Sequence, residues 1–245
     1  MNSAPPLVVV LFVLYAGSIA VGRWLLVNDT PADHLINRAL SWDVGAFVGY
    51  AVAAGAGYPD FGQWLFAAVG VLTMSNLIGF AALLGGADSD RTWVRQRRYD
   101  TVAAAFGLLE LALALADEMG LNLHRILDWE GVLWVGGQSF VCWFGLVLMR
   151  SSVYELRMTT STARERLLYS AVCAAGFYAA AGGLWSSIRT IAGTPPGNPG
   201  TAWALAAFAG GSILTTLAGL PVWAALLARA EWDRAGRQCR RLRPL

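Results

Sequence analysis

Stretches of about twenty apolar residues recur seven times along this chain, and the connections between them are too short to fold alone. Hydrocarbon roughly 30 Å thick takes about 20 residues of helix, and no other open element satisfies its backbone there. The expected helices occupy about residues 7–27, 39–54, 63–84, 101–118, 129–149, 167–187 and 201–228. Residues 1–228 thus read as one seven-helix transmembrane domain, with 229–245 as a basic cytoplasmic tail. Composition agrees: 14% of the 245 residues are charged and mean hydropathy is +0.51, against about 25% charged in soluble domains. The expected fold class is all-α, a polytopic membrane bundle, and the fourth helix, which carries Glu110, is the expected organising element.

Local signals set several boundaries. Thr30, Pro31 and Asp33 form a helix start, with Thr30 as N-cap, Pro31 at the first helical position and Asp33 placed to complement the dipole. The turn from His34 to Leu40 reads as interfacial. Gly45, Gly49 and Ala53 have the spacing that lets another helix approach. Residues 55–62 read as a tight hairpin, residues 193–200 are too rich in Pro and Gly for helix, and Pro221 predicts a local adjustment in the last helix. The first helix resembles a signal peptide but lacks a positive start and continues to Val27, which predicts an uncleaved span.

Orientation follows from arginine. All 18 basic residues are Arg. With seven spans, Arg23, Arg38 and those of the segments after helices 3, 5 and 7 fall on one side, sixteen in all, and Arg125 and Arg189 on the other. Basic residues concentrate in the cytoplasm, so the N-terminus is expected outside and the tail inside a cytoplasmic membrane. Tryptophans form two belts, Trp24, Trp42, Trp93 and Trp232 against Trp64, Trp129, Trp185 and Trp203.

Several classes are excluded. Without Lys there is no retinal-type Schiff base. His34 and His124 fall on opposite sides, too few for a multi-histidine zinc centre. Cys142, Cys173 and Cys239 form no CxxC pair. No cofactor, metal or nucleic-acid partner is expected, and no internal repeat supports a three-plus-three transporter.

Chemistry then rests on membrane-embedded polar groups. Glu110 lies nine residues into helix 4 and Gln138 nine into helix 5 from the other side, each roughly 13 to 14 Å deep. The expected midplane layer comprises Asn76, Glu110, Gln138, Ser139, Ser212, Thr215 and Thr216, read either as helix-to-helix hydrogen bonding or as a ligand or proton site. Asp117, two turns beyond Glu110 on the same face, extends it with Glu118 as an outer path. Asp117, Glu118, His124, Asp128 and Glu130 read as a solvated acidic region, and His124 is about 20 Å from Ser139, too far for a catalytic dyad. Asp43 is expected to pair with Arg23, Arg38 or His34 at the inner face.

The leading expectation is a non-enzymatic seven-helix protein that binds, senses or serves as a complex subunit. A proton or small-solute carrier using Glu110 and Asp117 is the alternative, and a membrane enzyme acting on lipid the third. Expected partners are the lipid bilayer, anionic lipid at the tail, and a membrane protein or second copy.

Overall fold

The computed structural model describes residues 6–121, 128–157, 163–193 and 201–241, and all regular structure among them is α-helical. The helices are α1 (Pro6–Leu26), α2 (Pro31–Gly55), α3 (Pro59–Leu84), α4 (Ser89–Glu118), α5 (Trp129–Arg157), α6 (Ala163–Ile191) and α7 (Thr201–Arg241). Six are long and apolar enough to cross a membrane, and the exception is α2, which carries Asp33, His34, Arg38 and Asp43.

The Thr30 cap forms as a capping box. Asp33 N–H donates to Thr30 Oγ1 at 3.1 Å, and Asp33 Oδ2 accepts from the Thr30 backbone N–H and hydroxyl. The expected interfacial turn is continuous with α2. Several ends depart from expectation in one direction: α4 begins twelve residues before Thr101, α5 runs on to Arg157 and α7 to Arg241. Apolar length marks only what lipid surrounds, whereas polar helix continues past it wherever a cap or a partner satisfies the backbone. Asp88 supplies such a cap for α4, accepting from Arg91 N–H at 2.9 Å.

Neighbouring helices alternate in direction. Leu35, Gly49 and Tyr50 of α2 meet Gly79, Leu65 and Gly62 of α3 in reverse order. Gly79, Ser75 and Ala68 of α3 likewise meet Gln96, Asp100 and Gly107 of α4. α5 runs with α3, joined by Ser151 Oγ donating to Ala81 O at 2.7 Å near one end and by Trp64 against Trp129 at the other. α6 lies antiparallel on α5, Gly145 against Gly176 and Trp134 Nε1 donating to Ser186 Oγ. α7 runs with α1, where Phe208, Thr216 and Val222 meet Phe12, Tyr15 and Gly22. Thus α1, α3, α5 and α7 point one way and α2, α4 and α6 the other. We call the end reached by Arg23, Arg38 and Arg91 the arginine-rich end.

The hub is α3, packed by α2, α4 and α5, rather than the expected α4. Small residues explain it: Gly62, Ala68, Gly79 and Ala81 let three backbones approach, and a Cβ on Gly107 of α4 would stand 2.7 Å from the Ala68 carbonyl. Toward the end away from the arginines, aromatic clusters close the bundle. Phe12, Phe47, Phe66 and Phe208 join α1, α2, α3 and α7, and Trp129 and Leu133 pack on Ala114, Phe61 and Trp64.

Candidate functional site

Two polar networks fasten the arginine-rich half. Arg23 is buried in α1, and all three guanidinium nitrogens are used: Nε donates to Asn37 Oδ1 at 2.8 Å, Nη2 to Asp33 Oδ1 at 2.9 Å and Nη1 to Ala218 O at 2.6 Å. Asn37 in turn donates to Val27 O and Asn28 Oδ1. One side chain thereby ties α1 to α2 and α7.

The second network centres on Asp100. Its Oδ2 accepts from Arg38 at 2.8 Å, and its Oδ1 accepts from Ser75 Oγ at 2.8 Å and Gln96 Nε2 at 2.6 Å. Gln96 also donates to Ser75 O, and Asn76 donates to Leu72 O. α2, α3 and α4 meet here. Two acceptors in this cluster, Asn76 Oδ1 and Gln96 Oε1, are buried without a hydrogen-bond partner. Neither Gln96 nor Asp100 stood out in sequence, because both fall in the arginine-rich stretch that reads as a loop.

Glu110 is only 1% exposed. It faces α5, where a Cβ on Gly137 would stand 3.8 Å from its Oε1, and its Oε2 is buried without a hydrogen-bond partner. The flanking groups are apolar: Phe106 lies against Gly136 and Phe140. Burying an unpartnered polar atom costs about 1–3 kcal/mol.

Asp43 departs from expectation. Arg23 is committed to Asp33 and Arg38 to Asp100, so neither serves it. It is half-buried and has no ion-pair partner among the described residues. It is the central residue of α2, roughly 18 Å from either end of that helix.

The residues expected in one layer occupy three places. Glu110 and Gln138 share a depth at the α4–α5 contact, as the adjacent Gly137 shows. Asn76 lies with Asp100: since Ala68 faces Gly107 and Ser75 faces Asp100, Glu110 is opposite the region of Leu65, roughly 16 Å from Asn76 along the axis. Ser139 is exposed and donates back to Val135 O. Ser212, Thr215 and Thr216 belong to α7, where Ser212 donates to Phe208 O and Thr216 Oγ1 lies 2.6 Å from Tyr15 Oη of α1. Asp117 is half-buried and Glu118 exposed at the end of α4. His124 and Arg125 lie outside the described residues.

Comparison with protein-family models, curated proteins and solved structures returned no match. Chemistry is therefore argued from the side chains alone. Among the described residues no three His, Cys, Asp or Glu side chains gather as metal ligands. What the interior offers is one carboxyl group enclosed by apolar surface, Glu110, and one half-open to its surroundings, Asp43.

Proposed function

We propose that the chain is a seven-span protein of the cytoplasmic membrane, with the arginine-rich end in the cytoplasm, and that it works as a non-enzymatic subunit binding another membrane helix. The alternation of helix directions supports seven spans, since α2 runs antiparallel to α3 from Leu35 to Ala53, roughly 27 Å, and to α1 from Asp33 to Phe47, roughly 21 Å. The arginine distribution supports the orientation.

The observation that carries the binding role is the outward face of α6. This helix packs chiefly on α5 and is the least covered of the six apolar helices. Its outer stripe, Ala171, Ala174, Tyr178, Ala181 and Trp185, is exposed along four turns, and no atom lies within 4 Å of a Cβ on Gly182. Lipid does not favour alanine over leucine, whereas helix association in membranes favours such small residues. Cysteine crosslinking from position 174 or 181 in native membranes tests the reading. A specific crosslinked species, abolished by Gly182→Leu without loss of the folded chain, is expected; a uniformly monomeric chain contradicts it.

A second reading rests on Glu110. An enclosed carboxyl oxygen without a partner is the group a proton carrier needs, and Asp117 lies two turns outward on the same helix. Carboxyl-selective infrared difference spectra, wild type against Glu110→Gln, separate the two: a signal that moves during solute flux favours the carrier, and none favours the subunit.

A further inference from the structure

We propose that Asp43 is the centre of a binding site for a small monovalent cation, a proton or sodium, at the level where α1, α2, α3 and α7 converge. The inference does not depend on the α6 face.

Phe47 fixes the position. Its ring meets Phe12 of α1 at 4.8 Å, Phe66 of α3 at 4.9 Å and Phe208 of α7 at 5.6 Å between centroids, so it stands where four helices converge. Asp43 is four residues earlier in α2, hence on the same face and one turn nearer the arginine-rich end. Its neighbours along that face, Ala39, Ala46 and Tyr50, are all buried.

The three facing helices all run toward the arginine-rich end, so one turn beyond Phe12, Phe66 and Phe208 brings Ala16, Gly70 and Ser212 level with Asp43. These residues are small. No atom lies within 4 Å of where a Cβ on Gly70 would stand. Two turns beyond Phe66 and Phe208 come Thr73 and Thr215, both buried, and Thr73 Oγ1 has no hydrogen-bond partner. By helix register a carboxylate and two buried hydroxyls thus fall within about two turns of the four phenyl rings, on the same side of them.

Charge selects the occupant. On α1 the only charged residue is Arg23, which is fully committed, and on α2 Arg38 is held by Asp100. The only charged residue of α3 is Asp60 at its far end, and α7 has none before Arg229. One carboxylate with oxygen ligands matches one positive charge, whereas calcium takes six to eight oxygens, commonly with several carboxylates.

The test is carbodiimide modification of the full-length chain in lipid, read by mass spectrometry of the peptide containing Asp43. The reagent takes up the carboxyl proton at its nitrogen while the carboxyl oxygen bonds to its carbon, so only a protonated, accessible carboxyl reacts. Asp43 is expected to be modified in choline buffer. Modification that falls with sodium at fixed pH identifies a sodium site; modification that responds to pH alone identifies a proton site. For a sodium site, Thr73→Val or Thr215→Val should raise the protecting sodium concentration roughly tenfold, the loss of one oxygen ligand to the ion. Glu110→Gln serves as background so that the other carboxyl group cannot contribute. Asp43 unmodified at every pH in choline, with the chain folded by circular dichroism, overturns the proposal.

Discussion

Arg23 of α1 donates to the carbonyl of Ala218 in α7 at 2.6 Å, three residues before Pro221. Proline has no N–H for the carbonyl four residues earlier, and its ring weakens the ladder of that turn. The carbonyl so freed is that of Leu217; the buried guanidinium bonds the next one, Ala218 O, and so fastens the turn before the proline to α1 without replacing the lost bond. The same side chain closes on Asp33, which also caps α2, so the cap of α2 and the contact of α1 with α7 are joined through one ion pair.

Arg23→Met is therefore expected to destabilise the chain by about 3 kcal/mol, because Asp33 and Asn37 lose their partner while remaining largely buried. Arg23→Lys should lie between the two, since one ammonium cannot reproduce the guanidinium fork. Denaturant titration in mixed micelles checks the order; equal stability of all three chains would remove the fastening role.

Asp100→Asn should cost less than Arg23→Met. Asparagine can still accept from Ser75 or Gln96, and Arg38 is about one-third exposed and can turn to water, leaving a loss of about 1 kcal/mol. Gln96→Leu should cost more than that change, since it removes both donors that reach Ser75 O and Asp100 Oδ1. The same titration reads both.

Glu110 gives the opposite sign. Its buried Oε2 has no hydrogen-bond partner to lose, so Glu110→Leu is expected to leave stability equal or raise it by about 1–3 kcal/mol, while Glu110→Gln changes little. A group retained at such a cost is characteristic of function. A loss exceeding about 2 kcal/mol in Glu110→Leu would show instead that the carboxyl is a structural hydrogen-bond donor.

Two glycines that look alike in sequence should behave differently. A Cβ at Gly107 would stand 2.7 Å from the Ala68 carbonyl, which cannot yield, so Gly107→Ala should cost about 1–3 kcal/mol. At Gly45 no atom lies within 4 Å, so Gly45→Ala should be neutral or gain up to about 1 kcal/mol of helix propensity. Melting of the two variants in detergent distinguishes them.

The glycines also show what sequence can convey. The spacing of Gly45, Gly49 and Ala53 suggested one close-approach stripe; Gly49 meets Leu65 and Ala53 lies against Gly62, but Gly45 meets nothing. Spacing fixes a helix face but not which neighbour covers it. The helix start at Thr30 was fully legible because capping is local chemistry. Helix number and order were legible because apolar length is local as well. Partner choice was not. Asp43 lies five residues from Arg38 in sequence, but Arg38 turns to Asp100, sixty-two residues away, which no spacing rule could reveal. Gln96 and Asp100 were hidden in the same way: helix continues beyond the apolar span, so inward-facing polar residues looked like a loop.

Cysteine accessibility near the N-terminus and at the two connections flanking α3 tests the seven-span topology most directly. With Cys142, Cys173 and Cys239 replaced by serine, single cysteines are placed at Asn2, Tyr58 and Ala87 and labelled with a membrane-impermeant maleimide in intact cells and in inverted vesicles. Seven spans with the arginine-rich end inside predict labelling of positions 2 and 58 from outside only and of position 87 from inside only. If α2 does not cross, position 58 is labelled from the side opposite position 2 and position 87 from the same side as position 2, and the account is contradicted.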